Sequence, residues 1–102
     1  MEDEYPVLLD TFLVDSEERL LILHHAEQAA DALALRLAAH SFKGSCSNMG
    51  ALILAGLCKQ LEEAGRREEL EQTPQLVEQI EREFAIVRIL LKSERQRYRH
   101  QL

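Results

Sequence analysis

The stretch His40-Ser41-Phe42-Lys43-Gly44-Ser45-Cys46-Ser47-Asn48-Met49-Gly50 holds the residues best suited to chemistry. Read as a helix, it places His40, Lys43 and Gly44 on one face, because residues three and four apart are neighbours. Phe42, Cys46 and Met49 point the other way, at the spacing of a buried stripe. An imidazole then faces outward beside a cation, and the next side chain on its own row is missing. A glycine inside a helix costs about 1 kcal/mol relative to alanine. Access is the simplest compensation: without a side chain at position 44, a bulky partner can reach the His40 ring. Free imidazole titrates near pH ~6.5, so a neutral nucleophilic nitrogen is available at neutral pH. Lys43 adds a positive charge for an anionic group.

Each residue also has a plainer reading. His40 could be an ordinary surface histidine, and Gly44 could serve close helix packing. The Ser45 hydroxyl could bond the carbonyl four residues back. Asn48 could simply help the helix end, and Arg36, one turn before His40, could be an ordinary exposed arginine or add to a phosphate-binding field. The joint placement of Lys43, Gly44 and Ser45 around His40 favours the chemical reading.

The elements that would carry this face are helices. Leu, Ala, Glu, Gln and Arg dominate the 102 residues, while glycine (four) and proline (two) are scarce. The length implies one domain with a single modest core. Pro6 suits a first helical turn. From there Leu9, Phe12, Leu13, Ser16, Leu20, Leu23 and Ala30 trace one amphipathic face, which predicts a helix over about 6–29. Asp31 is a plausible N-cap for a second helix over about 32–48, with Leu35, Ala38, Phe42, Cys46 and Met49 inward. Its outward row is Arg36, His40, Lys43, Gly44 and Ser47, and Gly50 ends it. A third helix over about 51–65 turns Leu54, Leu57, Cys58, Leu61 and Ala64 inward; Gly56 suggests a close helix crossing, and Gly65 closes the helix. Arg66 to Gln72 form a charged connection. Thr73-Pro74 then reads as N-cap and first-turn proline of a fourth helix over about 74–98, with Val77, Ile80, Phe84, Val87 and Leu91 inward. Four amphipathic helices on short turns bury their stripes only against each other, so the expected fold is all-α, an antiparallel four-helix bundle.

Charge and composition exclude several functions. The net charge of −6 argues against nucleic acid. The basic C-terminal end, Lys92, Arg95, Arg97, Arg99 and His100, reads as a solvated helix end whose cations suit the dipole. No apolar run approaches the ~20 residues of a membrane span, and no secretory segment opens the chain. Cys46 and Cys58 fall on apolar stripes, so reduced, buried thiols and a cytoplasmic setting are expected. His24 and His25 diverge by about 100° on a helix and do not easily share a metal, with one expected solvated and the other partly buried.

The order His40-Ser41-Phe42-Lys43-Gly44-Ser45, then Gly50, resembles the motif of histidine-containing phosphotransfer domains, in which Phe42 replaces the usual leucine. Leu8-Leu9-Asp10-Thr11-Phe12-Leu13 resembles the family's opening helix, and Leu57-Cys58-Lys59-Gln60-Leu61-Glu62 its third-helix signature. The likeness extends over about residues 7–92. It implies that His40 accepts a phosphoryl group, that Lys43 helps to bind it and that Gly44 gives room for docking. It also implies that Glu62 or Gln60 lies near the imidazole and orients it. Many members carry a further short helix before the first long one; only six residues stand there in this chain, so that helix is expected to be absent, truncated or degenerate.

The chain shows no acidic cluster beside His40 suited to Mg²⁺, no glycine-rich phosphate loop and no nucleotide motif. The implied role is a phosphohistidine carrier, a monomer without a metal or other cofactor of its own, and not an autonomous kinase. Its partners would be receiver domains of hybrid sensor histidine kinases and of response regulators, with Mg²⁺ on the receiver. The docking surface is expected to include Leu13, Ser16, Arg36, Gly44, Ser47 and Asn48. Two other classes are weighed beside it: a helical module that sequesters a receiver without passing phosphate, and an enzyme using His40 as a general base, which would need a concave pocket and an orienting carboxylate.

Overall fold

The computed structural model describes residues 4–100, with side chains as far as Arg97. It contains four helices: α1 Glu4–Gln28, α2 Ala32–Asn48, α3 Leu52–Arg67 and α4 Thr73–His100. Each packs against its two neighbours in a ring, α2 against α3 most extensively. The bundle is elongated, 49 × 21 × 20 Å, and the expected architecture is the observed one.

The core follows the predicted stripes. Leu9, Leu23, Leu35, Phe42, Leu54, Leu61, Val77 and Ile80 are buried. Removing each such side chain from water stabilises the fold by about 1.5–3 kcal/mol. Three rings join three helices: Phe84 stands 6.5 Å from Phe12 and 6.5 Å from Phe42, tilted against both. Cys46 and Cys58 are free and buried between α2 and α3. The hydrogen bond with the Cys46 thiol, and then burial, push the Cys58 thiol far up.

Outside the core, α1 and α4 are tied by a ladder of pairs at seven-residue spacing. Asp10 accepts from Arg95 at 2.7 Å, Glu17 faces Arg88 at 3.3 Å, and His24 faces Glu81 at 3.2 Å. As one number rises the other falls, which is the signature of antiparallel helices. His24 and His25 are both exposed, contrary to the expected split. The ladder also accounts for part of the basic C-terminal end: Arg95 is held by Asp10, and Arg97 faces Glu94 at 3.0 Å. The side chains of Arg99 and His100 lie outside the described residues.

The helix ends carry the corrections. Asp31 caps α2 as expected, accepting from the Ala34 amide at 3.0 Å. Gly50, at φ +78, takes the left-handed position after α2, and the Ala51 amide returns to the Cys46 carbonyl. Ala30, expected on the inward face of α1, lies beyond its end, exposed and left-handed at φ 53. Gly65 does not close α3. The helix runs two residues further and Glu68 takes the left-handed position at φ 56. Gly65 instead faces α2, where an added Cβ would come within 2.8 Å of the Ala32 carbonyl oxygen. The close crossing is therefore at Gly65 and not at Gly56, where a Cβ would meet nothing within 4 Å. Thr73 is not the forward cap of α4; its hydroxyl is buried and donates back to the Leu70 carbonyl at 2.8 Å.

Candidate functional site

His40 projects from the middle of α2, and its side chain is 67% exposed. Its Nδ1 stands 2.8 Å from Oε2 of Glu62 on α3. One turn along α2, Lys43 Nζ donates to the other oxygen, Oε1, at 2.6 Å. A single carboxylate thus bridges two side chains of the facing helix. The Gly65 crossing lies about one turn further along α3 and brings the two backbones close enough for this reach.

The chemistry of the bridge follows from donor counting. Lys43's hydrogen bond, the larger influence, together with His40's, holds the Glu62 carboxyl below its ordinary value of 4.5, against the opposing effect of burial. Glu62 is therefore ionised at neutral pH and can only accept. The proton of a neutral His40 ring must then sit on Nδ1, and Nε2 keeps its lone pair. The arrangement offers an oriented nucleophilic nitrogen on an open surface, with an ammonium group one turn away. Both oxygens of Glu62 are taken and an ammonium group lies against one, so this donor set does not fit a divalent cation.

Gly44 lies exposed on the same face, and a Cβ there would meet nothing within 4 Å. Packing inside the protein does not require a glycine at this position.

The other expected residues divide. Ser47 and Asn48 are exposed near the end of α2, and Arg36 is half-buried one turn before His40. Gln60 is exposed and sits two residues, about 200°, from Glu62 around α3, so it does not share the His40 side. Leu13 and Ser16 are corrections to the expected docking surface: both are buried, at 7% and 0% exposure. They lie on the inward stripe of α1. The Ser16 hydroxyl, fully buried, has no hydrogen-bond partner among the described residues.

The apolar surface beside His40 comes from residues that the sequence reading passed over. Leu33 and Leu37 are more than half exposed and precede His40 and Gly44 on one row of α2. A shallow groove of about 580 Å³ runs alongside, between α1 and α2, lined by Asp15, Glu18, Ile22, Leu37 and Ser41 among others. Arg19 of α1 crosses it to donate to the Ser41 hydroxyl at 3.1 Å. Positions 33 and 37 form one row with His40 and Gly44, but from the sequence Leu33 and Leu37 are assigned to neither face.

Comparison with known proteins bears on what this surface does. The model of the Hpt domain family matches residues 7–90. The chain belongs to that family. Histidine-containing phosphotransfer protein B (HptB) from Pseudomonas aeruginosa PAO1, known from a crystal structure, is 72% identical to this chain. The match covers 96% of this chain and 85% of HptB, with a TM-score of 0.93. No curated protein matches the chain. As an Hpt domain it is a phosphotransfer intermediary of phosphorelays, a class that works with receiver domains and response regulators. No helix among the described residues is long and apolar enough to cross a membrane.

Proposed function

We propose that His40 is the residue that carries the phosphoryl group, attached at Nε2. It accepts the group from the receiver aspartate of a hybrid sensor kinase and passes it to the receiver aspartate of a response regulator. One observation carries this reading: an exposed imidazole whose Nδ1 is engaged by an ionised carboxylate, which leaves the lone pair on Nε2.

Attack is by the Nε2 electron pair on phosphorus. The N–P bond forms, the acyl phosphate O–P bond breaks, and its electron pair stays on the aspartate. The transition state is loose and in line, and positioning with charge stabilisation does most of the work. Lys43 supplies part of that charge; a unit pair ~4 Å apart near a surface is worth up to about 4 kcal/mol before desolvation and screening. Mg²⁺ and the remaining groups belong to the receiver, in line with the poor fit of Glu62 to a divalent cation. The protein acts as a monomeric carrier in the cytoplasm, where such receivers work. Donor and acceptor dock in turn on the face around Gly44, Leu33, Leu37 and the α1–α2 groove, through a small and short-lived interface.

Incubation with a phosphorylated receiver should label the chain in an acid-labile, alkali-stable form, and His40→Gln should abolish the label. Label that persists in this variant removes His40 from the role. Wild-type chain that binds the receiver but takes no label would favour the sequestering module.

A further inference from the structure

The bridging carboxylate has a consequence for the phosphorylated state. We propose that Glu62 is a positioning residue whose negative charge keeps the proton on Nδ1 of phosphorylated His40, so that the ring departs from phosphorus as neutral imidazole. The proposal rests on the carrier reading and deepens it.

The attacking form of the ring is the neutral one, with its proton on Nδ1, 2.8 Å from Glu62 Oε2. When Nε2 attacks, an N–P bond forms and no proton moves, so the ring becomes a cation that still bears its Nδ1 proton. In the onward step the acceptor carboxylate attacks phosphorus, the N–P bond breaks, and its electron pair returns to Nε2. The leaving group is then neutral imidazole. Loss of the Nδ1 proton in between would make it imidazolate, a far poorer leaving group. An anion within hydrogen-bond distance favours the protonated ring. A neutral amide in the same place would accept the bond without supplying the charge.

The second oxygen of the carboxylate supports this. Lys43 occupies Oε1 at 2.6 Å in the unphosphorylated chain. A dianionic phosphoryl group on Nε2, one turn from Lys43 on the same face, competes for that ammonium group. Whatever share of Lys43 moves to the phosphoryl group returns charge on Glu62 to the ring at the moment when the ring is positive. The surroundings leave Glu62 as the anion that acts. On α2, Arg36 and Lys43 flank His40. On α3, Lys59 and Arg66 lie one turn either side of Glu62, and Glu63 is paired with Arg66 and Arg67. On α1, Asp15 and Glu18 line the groove beside Ser41 and Arg19 is bonded to Ser41, but the carboxylate against the ring itself is that of Glu62. Of the charged groups of α4, Arg88, Arg95 and Glu81 pair with α1, and Glu78 pairs with Arg82.

The test loads the full chain with phosphoramidate, a small phosphoryl donor, and follows the ¹⁵N signals of the phosphorylated ring from about pH 5 to about pH 9. In the wild type the Nδ1 proton should persist through neutral pH. In Glu62→Gln the ring should lose it about one pH unit lower, the size expected for removal of an adjacent charge. Transfer to a receiver should fall away over the same lower range, and Glu62→Asp should recover the wild-type profile in part. An identical midpoint in wild type and Glu62→Gln overturns the proposal. So does a wild-type phosphorylated ring without its Nδ1 proton at neutral pH, a readout that needs no variant. Either result leaves the carrier reading standing, whereas failure of the wild type to take phosphate from a receiver defeats that reading itself.

Discussion

In the proposed mechanism three positions on α2 and α3 divide the labour, and each makes a separate prediction. Lys43→Ala removes the cation and its bond to Glu62. Transfer from a phosphorylated receiver should slow by about tenfold or more, the equivalent of about 1.4 kcal/mol or more, while helicity stays unchanged; unaltered kinetics would remove Lys43 from the mechanism. Gly44 separates stability from function. Nothing inside the protein opposes a Cβ there, so Gly44→Ala should raise stability by about 1 kcal/mol. Gly44→Leu should fold as well yet lose transfer, because its bulk stands only in the visitor's way. Full transfer by the leucine variant would contradict the access reading. For Glu62 the sign follows from its depressed carboxyl. The stability it contributes is present above its ordinary value of 4.5 and is lost as pH falls through the lower folded value. In urea titrations the gap in stability between wild type and Glu62→Gln should therefore shrink as pH is lowered from about 6 to about 3. A gap that does not change with pH would mean that the bridge adds nothing.

At the scale of elements, the helix ends show where local rules hold and where packing overrides them. The second helix was legible to the residue, because Asp31 and Gly50 are strong start and stop signals. The ends of α1 and α3 were not, because Ala30 and Glu68 occupy left-handed positions that favour glycine. Ala30→Gly should therefore stabilise the protein by about 1 kcal/mol, a rise in melting temperature of several degrees for a domain of this size. Gly65 misled in the opposite sense. It reads as a stop signal, but its function depends on α2, which no local pattern reveals. Gly65→Ala should lower stability by about 1–3 kcal/mol, since backbone atoms of Ala32 and Arg36 must move. Gly56→Ala should not. A Gly65→Ala variant that melts at the wild-type temperature would show that the crossing has slack.

Taken whole, the molecule is a ring of four antiparallel helices whose outer surface carries the histidine. The fold was legible because each stripe has a clear helical period, and the site because His40, Lys43 and Gly44 lie on one row. The surroundings were less so. Leu13 and Ser16 belong to the core stripe of α1, and their use as docking residues conflicted with that stripe. Leu33 and Leu37 share the row of His40 and Gly44, so helix geometry alone already put them outward, although apolar side chains are usually read as core. Gln60 and Glu62 could not both face His40, and the geometry of a helix alone favours one of them. In the proposed mechanism both receivers use the face around His40, so they do not occupy it together. An excess of unphosphorylated acceptor receiver should inhibit loading from the donor, and a stable three-protein complex would contradict this.

The central claim is that phosphorus bonds to Nε2 of His40 while Nδ1 stays with Glu62. Phosphorus–proton correlation NMR on the chain labelled by a phosphorylated receiver tests it most directly. Phosphorus on Nε2 is three bonds from both ring carbon-bound protons of His40 and should couple to both. Coupling to only one of those protons would place the group on Nδ1, and coupling to none would place it off His40; either would contradict the account.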